Sequence, residues 1–293
     1  MTAMSDSNRP EIPGHVTLSE GPGGLARVLV ETPFSSAEIY LQGAHVTRFQ
    51  KKGGEPLLFM SAASDYGPGK PIRGGVPVIF PWFGAREGLP AHGFARTVAW
   101  DLLETTLLPD GAVTLRFRLP DVEFFEVEYL VTIADTLTLE LVVRNTGSHP
   151  AVFETCLHTY FQVAAAEAIS ITGLEHAGYL DKIAGTEEPG SPDPIRIAAE
   201  VEHVYPDSAA TVEIHDPGLK RVIRIAKSGS ASTVVWNPWI AKSSRMPDFG
   251  DDEYLQMVCV ESGNVGPNQV TLPPGECAVL KVVVSSGELG EAS

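Results

Sequence analysis

Two arginines, two histidines and a glutamate in this chain are of types able to hold an anion and move protons. Arg73 lies in "PIRGGV" and Arg96 closes "HGFAR", four residues after His92. A guanidinium presents parallel donors that match the paired oxygens of a phosphate or carboxylate, so two of them suit an anionic ligand. Each could equally close a tight corner with a surface ion pair, and Arg86 in "FGARE" is a third candidate. Glu261 ends the apolar run "MVCVE" just before Ser262 and Gly263. Burial there would raise its pKa and keep it a useful base near neutral pH, while an exposed glutamate starting a turn fits the same residues. His158, alone in the apolar stretch "ETCLHTYFQV", reads by itself as a structural histidine. Tyr179 and Asp181 in "GYLDK" suit either a sugar hydroxyl or a turn. Trp236 and Trp239 in "VVWNPWIAKSSRMPDFGDDEY" offer indole faces of the kind that line sugar sites and cores alike.

The elements that must position these groups are strands. Val113, Leu115, Phe117 and Leu119 alternate with polar residues in "VTLRFRL", as do Leu137, Leu139, Leu141 and Val143 in "LTLELVV". That period of two marks half-buried strands. Similar runs occur in "ARVLVET", "AEIYLQGAHVTRF", "RVIRIAKS", "MVCVES" and "AVLKVVVSS", separated by Gly, Pro, Asn and Asp. Helical patterns are few and short. Each strand needs its apolar face covered, which predicts an all-β fold, a large antiparallel β-sandwich. The segment "GKPIRGGVPVIFPWFG" breaks the alternation with four glycines and three prolines, and is expected to be a shaped loop whose Gly74 and Gly75 let backbone approach a ligand.

Composition narrows the partners. Thirty-seven acidic residues against 21 Lys and Arg leave a formal charge of −16, which repels nucleic acid and anionic membrane at long range. A small anion is still allowed, because hydrogen-bond contacts in a cleft act well inside the screening length of about 10 Å. Three scattered cysteines, Cys156, Cys259 and Cys277, form neither a disulfide framework nor a CxxC site, which fits a reducing compartment. The first residues carry no apolar signal core and no run approaches the length of a membrane span, so a cytoplasmic protein is expected. No linker composition or repeat divides the chain, which predicts one domain over residues 14–286 with polar termini at 1–13 and 287–293. The eight histidines include no H-x-H pair of the kind that would mark a metal isomerase, and no clear second carboxylate points to glycoside hydrolysis.

Taken in order, "PIRGGVPVIFPWFG", "HGFAR", "LHTYF", "LDK", "VWNPW" and "CVESGN" closely resemble the hexose-6-phosphate mutarotases of the aldose 1-epimerase superfamily, over roughly residues 15–285. The resemblance implies a galactose-mutarotase-like sandwich and interconversion of the α and β anomers of an aldohexose 6-phosphate, glucose 6-phosphate foremost; a monomer is expected. It implies His158 and Glu261 as the catalytic pair, Arg73 and Arg96 as ligand-binding arginines and Asp181 as a sugar-binding aspartate. His92 is expected to touch sugar oxygens or to hold its loop. Some relatives carry a glutamine before the "HG" pair, where this chain has Ala91 and lacks that contact. Ring opening needs one base at the C1 hydroxyl and one acid at the ring oxygen, roles expected of Glu261 and protonated His158. Each contributes about 10² to 10⁴-fold, enough for a reaction that already proceeds in water, so neither cofactor nor metal is expected. A non-catalytic carbohydrate-binding module on the same sandwich is the alternative.

Overall fold

The computed structural model describes residues 10–290, and the expected polar residues 1–9 and 291–293 lie outside that span. Its strands form a four-stranded sheet over Val16–Lys51, two eight-stranded sheets and a two-stranded ribbon, with every ladder pair antiparallel. One eight-stranded sheet carries the long alternating strands Val113–Leu119, Phe125–Ile133, Leu137–Asn145, Arg221–Ser228 and Cys277–Glu288. Val113, Leu115, Phe117 and Leu119 are buried, as are Leu137, Leu139, Leu141 and Val143, while their polar neighbours face outward.

The other eight-stranded sheet runs, strand by strand, through Thr186–Glu188, Tyr179–Asp181, Val201–Tyr205, Ser232–Asn237, Met257–Asn264, Thr155–Leu157 and Val78–Ile79, with Tyr160–Gln162 also pairing to Met257–Asn264. Alternation gives this sheet two apolar faces. Leu157, Phe161, Val235, Val258 and Val260 join the main core, in the same cluster as Leu115, Leu139 and Val282 of the opposing sheet. Tyr160, Trp236 and Cys259 point the other way, into a smaller cluster capped by Phe59, Phe249 and Tyr254. The loop segments around Phe59 and Phe249 thus cover part of the second face, where the candidate residues gather.

Two expectations need correction. The strand Cys277–Glu288 runs past residue 286, pairing Glu288 with Arg221, because ladder hydrogen bonds need no apolar side chain. Gly74 and Gly75 serve the fold itself. A Cβ at Gly74 would lie 2.4 Å from the Phe59 carbonyl oxygen, and one at Gly75 2.3 Å from that of Val46, with both residues at positive φ. They let the arginine loop press onto neighbouring backbone, which is a packing reason for the "RGG" sequence.

Leu139 is fully buried between the sheets. Replacing it with alanine is expected to cost about 2–5 kcal/mol in urea unfolding, through lost transfer energy plus a residual cavity.

Candidate active site

The register of one strand pair assembles the centre of the site. Leu157 pairs with Ser262 and Tyr160 with Cys259, so the unpaired His158 stands opposite Glu261 across the ladder. Opposed residues on one face have Cβ atoms about 4.5–5.5 Å apart. Here the contact is closer still at the side-chain ends, with Nε2 of His158 3.2 Å from Oε1 of Glu261. His158 does not sit in a regular strand. Its amide donates to the Pro77 carbonyl at 3.0 Å, and Thr159 folds back onto the Leu157 carbonyl.

Both groups are buried, Glu261 at 1% exposure and His158 at 7%, and this decides their protonation. Burial holds Glu261 well above the ordinary carboxylate pKa. The Cys156 thiol and Arg96 oppose that rise, and Glu202 adds to it. Burial, helped by His92, Arg96 and Arg73, holds His158 well below the ordinary imidazole value. Both shifts act against an ion pair and towards a neutral carboxyl facing a neutral imidazole, with one exchangeable proton across 3.2 Å. An ion pair here would put two charges where water cannot solvate them.

His158 stacks on Tyr160 at 4.9 Å, and the Tyr160 hydroxyl accepts from Arg73 at 3.0 Å. Arg73 also donates through Nε and Nη2 to both carboxylate oxygens of Asp248, at 3.0–3.3 Å. Burial opposes the Arg73 charge, yet Tyr160 and Asp248 hold its pKa above the usual value. Arg96 is less engaged. It donates to the Ala91 carbonyl at 2.9 Å, and its buried Nε has no partner among the described residues. Burial brings its pKa down to about 10, with Arg73 adding to the shift against the pull of Tyr160, Asp248 and Glu261, so it stays cationic at neutral pH. Two guanidinium groups and the proton-sharing pair thus lie within electrostatic reach of one another.

His92 joins this group. It packs edge-on against His158 at 5.7 Å, and its Nδ1 accepts the Gly84 amide at 3.3 Å. That bond leaves the ring hydrogen of the neutral form on Nε2. Burial and the two arginines push its pKa down to about 3, so at physiological pH the ring is neutral and offers a single N–H donor. It holds the loop through Gly84, the second of its two expected roles. Trp236 meets His158 edge-on at 6.0 Å, while Trp239 packs against Tyr254 in the covering cluster. Arg86 turns aside to Glu154 and lies over the Trp82 ring.

Asp181 is the candidate that the fold does not bring in. The ladders place Asp181 opposite His203, His203 opposite Val235 and Val235 opposite Val260, all on the core-side face and three strands from Glu261. Its carboxylate accepts the Ile183 and Ala184 amides, building a turn, and those bonds hold its pKa below the ordinary value. The acid on the correct face is Glu202, which pairs with Trp236, itself opposite Cys259. Lys242 bonds Glu202 at 2.8 Å. Glu202, Tyr160 and Asp248 were not singled out from the sequence. Tyr160, two residues from His158 on the same side of the chain, could have been found from strand alternation, whereas Glu202 and Asp248 become neighbours only through long-range pairing.

His158, Cys259 and Glu261 each present a donor atom within 4.8 Å of the others. Burial, with Glu261 beside it, holds the Cys259 thiol well above its ordinary pKa, so the set suits proton transfer better than a thiolate metal site. Among the described residues, no helix is long and apolar enough to cross a membrane.

Comparison with known proteins places this arrangement. A family model described as aldose 1-epimerase matches residues 27–285. A protein of Cenchrus ciliaris, provisionally named glucose-6-phosphate 1-epimerase, is 35% identical over 279 residues, covering 88% of this chain and 84% of its own. A protein of Escherichia coli (strain K12) with the same provisional name is 35% identical over 256 residues, covering 84% and 85%. The crystal structure of a provisionally named mutarotase from Salmonella typhimurium superposes with a TM-score of 0.88 at 27% identity, covering 96% of each chain.

If Arg96 is the open half of an anion site, inorganic phosphate should raise the Tm in a concentration-dependent way. The rise should vanish in Arg96→Met and persist in Asp181→Asn. Differential scanning fluorimetry over a phosphate series checks both.

Proposed function

The chain belongs to the aldose 1-epimerase family, and from that premise we propose that it interconverts the α and β anomers of an aldohexose 6-phosphate, glucose 6-phosphate foremost. It is an isomerase with a galactose-mutarotase-like β-sandwich fold. The observation that carries the substrate assignment is the pairing of His158 and Glu261 at 3.2 Å on a face that also holds Arg73 and Arg96. A proton-sharing pair supplies the acid and the base that ring opening needs, and two guanidinium groups supply the partner for a phosphate dianion.

The phosphate docks on Arg96, with Arg73 held in place by Asp248 and Tyr160. Sugar hydroxyls entering the cleft stabilise the charged form of the pair, and the proton moves from Glu261 to His158. Glu261, now a carboxylate, takes the proton of the C1 hydroxyl, and His158 gives its proton to the ring oxygen. The C1 to ring-oxygen bond breaks, leaving an open aldehyde. Rotation about the C1 to C2 bond presents the other aldehyde face, and reclosure with the two roles exchanged yields the opposite anomer. Glu202 and Trp236, on the same sheet face, are placed to meet the remaining hydroxyls. His92 offers its Nε2 hydrogen beside His158.

One apolar cluster containing both Val16 and Val284 supports a single domain. The charge of −16 supports a protein that binds neither nucleic acid nor an anionic membrane surface. No observation favours a non-catalytic binding module.

Exchange NMR on glucose 6-phosphate should show anomer exchange accelerated over buffer, and no acceleration would reject the proposal. Glu261→Gln should lower kcat by at least about 10²-fold with little change in KM. Arg96→Met should chiefly raise KM for the phosphorylated sugar. The profile of kcat/KM against pH should be bell-shaped, since the pair works only while it holds one proton. Activity falls at low pH when His158 gains a second proton, at a value below the ordinary imidazole range. It falls at high pH when Glu261 loses the last one, at a value above the ordinary carboxylate range.

A further inference from the structure

Cys156 is buried, reactive in type and unused by the mechanism above. Its register partner is Gly263, two residues beyond Glu261 on the same sheet face, and its Sγ lies 3.5 Å from Oε2 of Glu261. The other carboxylate oxygen, Oε1, faces His158. The space for the sulfur is built in. A Cβ at Gly263 would stand 2.9 Å from the Cys156 Sγ and 2.6 Å from the Thr155 carbonyl oxygen, so only glycine leaves the thiol its place. Ile79, Val234 and Val265 enclose it with apolar surface.

We propose that Cys156 is a positioning residue for Glu261: its S–H donates to Oε2 and thereby confines the exchangeable carboxyl proton to Oε1, the oxygen aimed at His158. A carboxylic acid can carry its proton on either oxygen. The carbonyl oxygen of a carboxylic acid is a better acceptor than its hydroxyl oxygen, so the oxygen that accepts the thiol hydrogen is the one less suited to carry the proton. The thiol can hold this role because burial, followed by Glu261 and Glu154, keeps its own pKa well above the ordinary value, with Lys227 opposing, and it remains a donor rather than a competing base. The groups facing Glu261 are then Cys156, Cys259 and His158 together with Glu202 and Arg96, and among the described residues Cys156 alone donates to Oε2.

The inference rests on the acid–base role proposed for Glu261, and its test separates the two. Cys156→Ala should lower kcat about 3- to 10-fold with KM nearly unchanged, the loss of one weak hydrogen bond to a reacting group. The thiol stabilises the carboxylate, so its removal should also move the alkaline limb of the pH profile upward. Cys156→Ser, which restores a donor, should recover both rate and limb. Independently of activity, the infrared S–H stretching band that disappears in Cys156→Ala should shift with pH as Glu261 titrates, and should stop shifting in Glu261→Gln. Equal losses in the alanine and serine variants with an unmoved limb would reduce Cys156 to packing and overturn the inference, as would an S–H band indifferent to pH. A wild-type protein without mutarotase activity would instead reject the functional reading, while the infrared arm would still report on the contact.

Discussion

The structure turns on the burial of two ionisable groups against each other. Placing an imidazole and a carboxyl at 3.2 Å with almost no water contact removes the solvation that would otherwise fix each as a separate ion. What is left is a single proton shared between two sites, with burial raising the proton affinity of the carboxylate and lowering that of the imidazole. Such a pair holds an acid and a base side by side, each able to exchange its role with the other. That property is what a reaction with identical chemistry in both directions requires of its catalyst. The rest of the sheet serves this condition: the ladder sets the two side chains opposite each other, and the aromatic cover of Phe59, Trp236, Phe249 and Tyr254 keeps the face dry.

The cationic end of the site follows a different rule. A chain with net charge −16 can hold an anion only at hydrogen-bond range, and it does so by ordering one guanidinium in advance. Asp248 and Tyr160 occupy Arg73 from two sides, which fixes its plane before any ligand arrives, while Arg96 keeps a donor unspent. The same arginines lower the proton affinity of His158 and His92, so the anion-binding and proton-moving halves are electrostatically coupled. A bound phosphate would offset that positive field and ease the formation of an imidazolium at His158.

Much of this was legible in the chain itself. Alternation of Val113, Leu115, Phe117 and Leu119, and of Leu137 through Val143, revealed strands and their buried faces, since period two is a local property of extended backbone. Arg73, Arg96, His92, His158 and Glu261 were all named from residue type, local pattern and the ordered family resemblance, and the fold gathers them. Asp181 and Glu202 show where such reading stops. Each is an acid on a short strand, and alternation says which neighbours share its side of that strand. It says nothing about which side faces the site, because that depends on pairing with strands some 20 to 35 positions away, one after another across the sheet.

The sequence by itself thus determined the long alternating strands, the sandwich class, the charge balance and the chemical inventory, all of which follow from local geometry and side-chain type. Tertiary structure alone decided that Asp181 builds a turn while Glu202 reaches the site, that Asp248 clamps Arg73, that burial raises the proton affinity of Glu261 and that Cys156 touches the second carboxylate oxygen. These are outcomes of long-range register and of dielectric environment, and both come into being only when distant strands pair and exclude water.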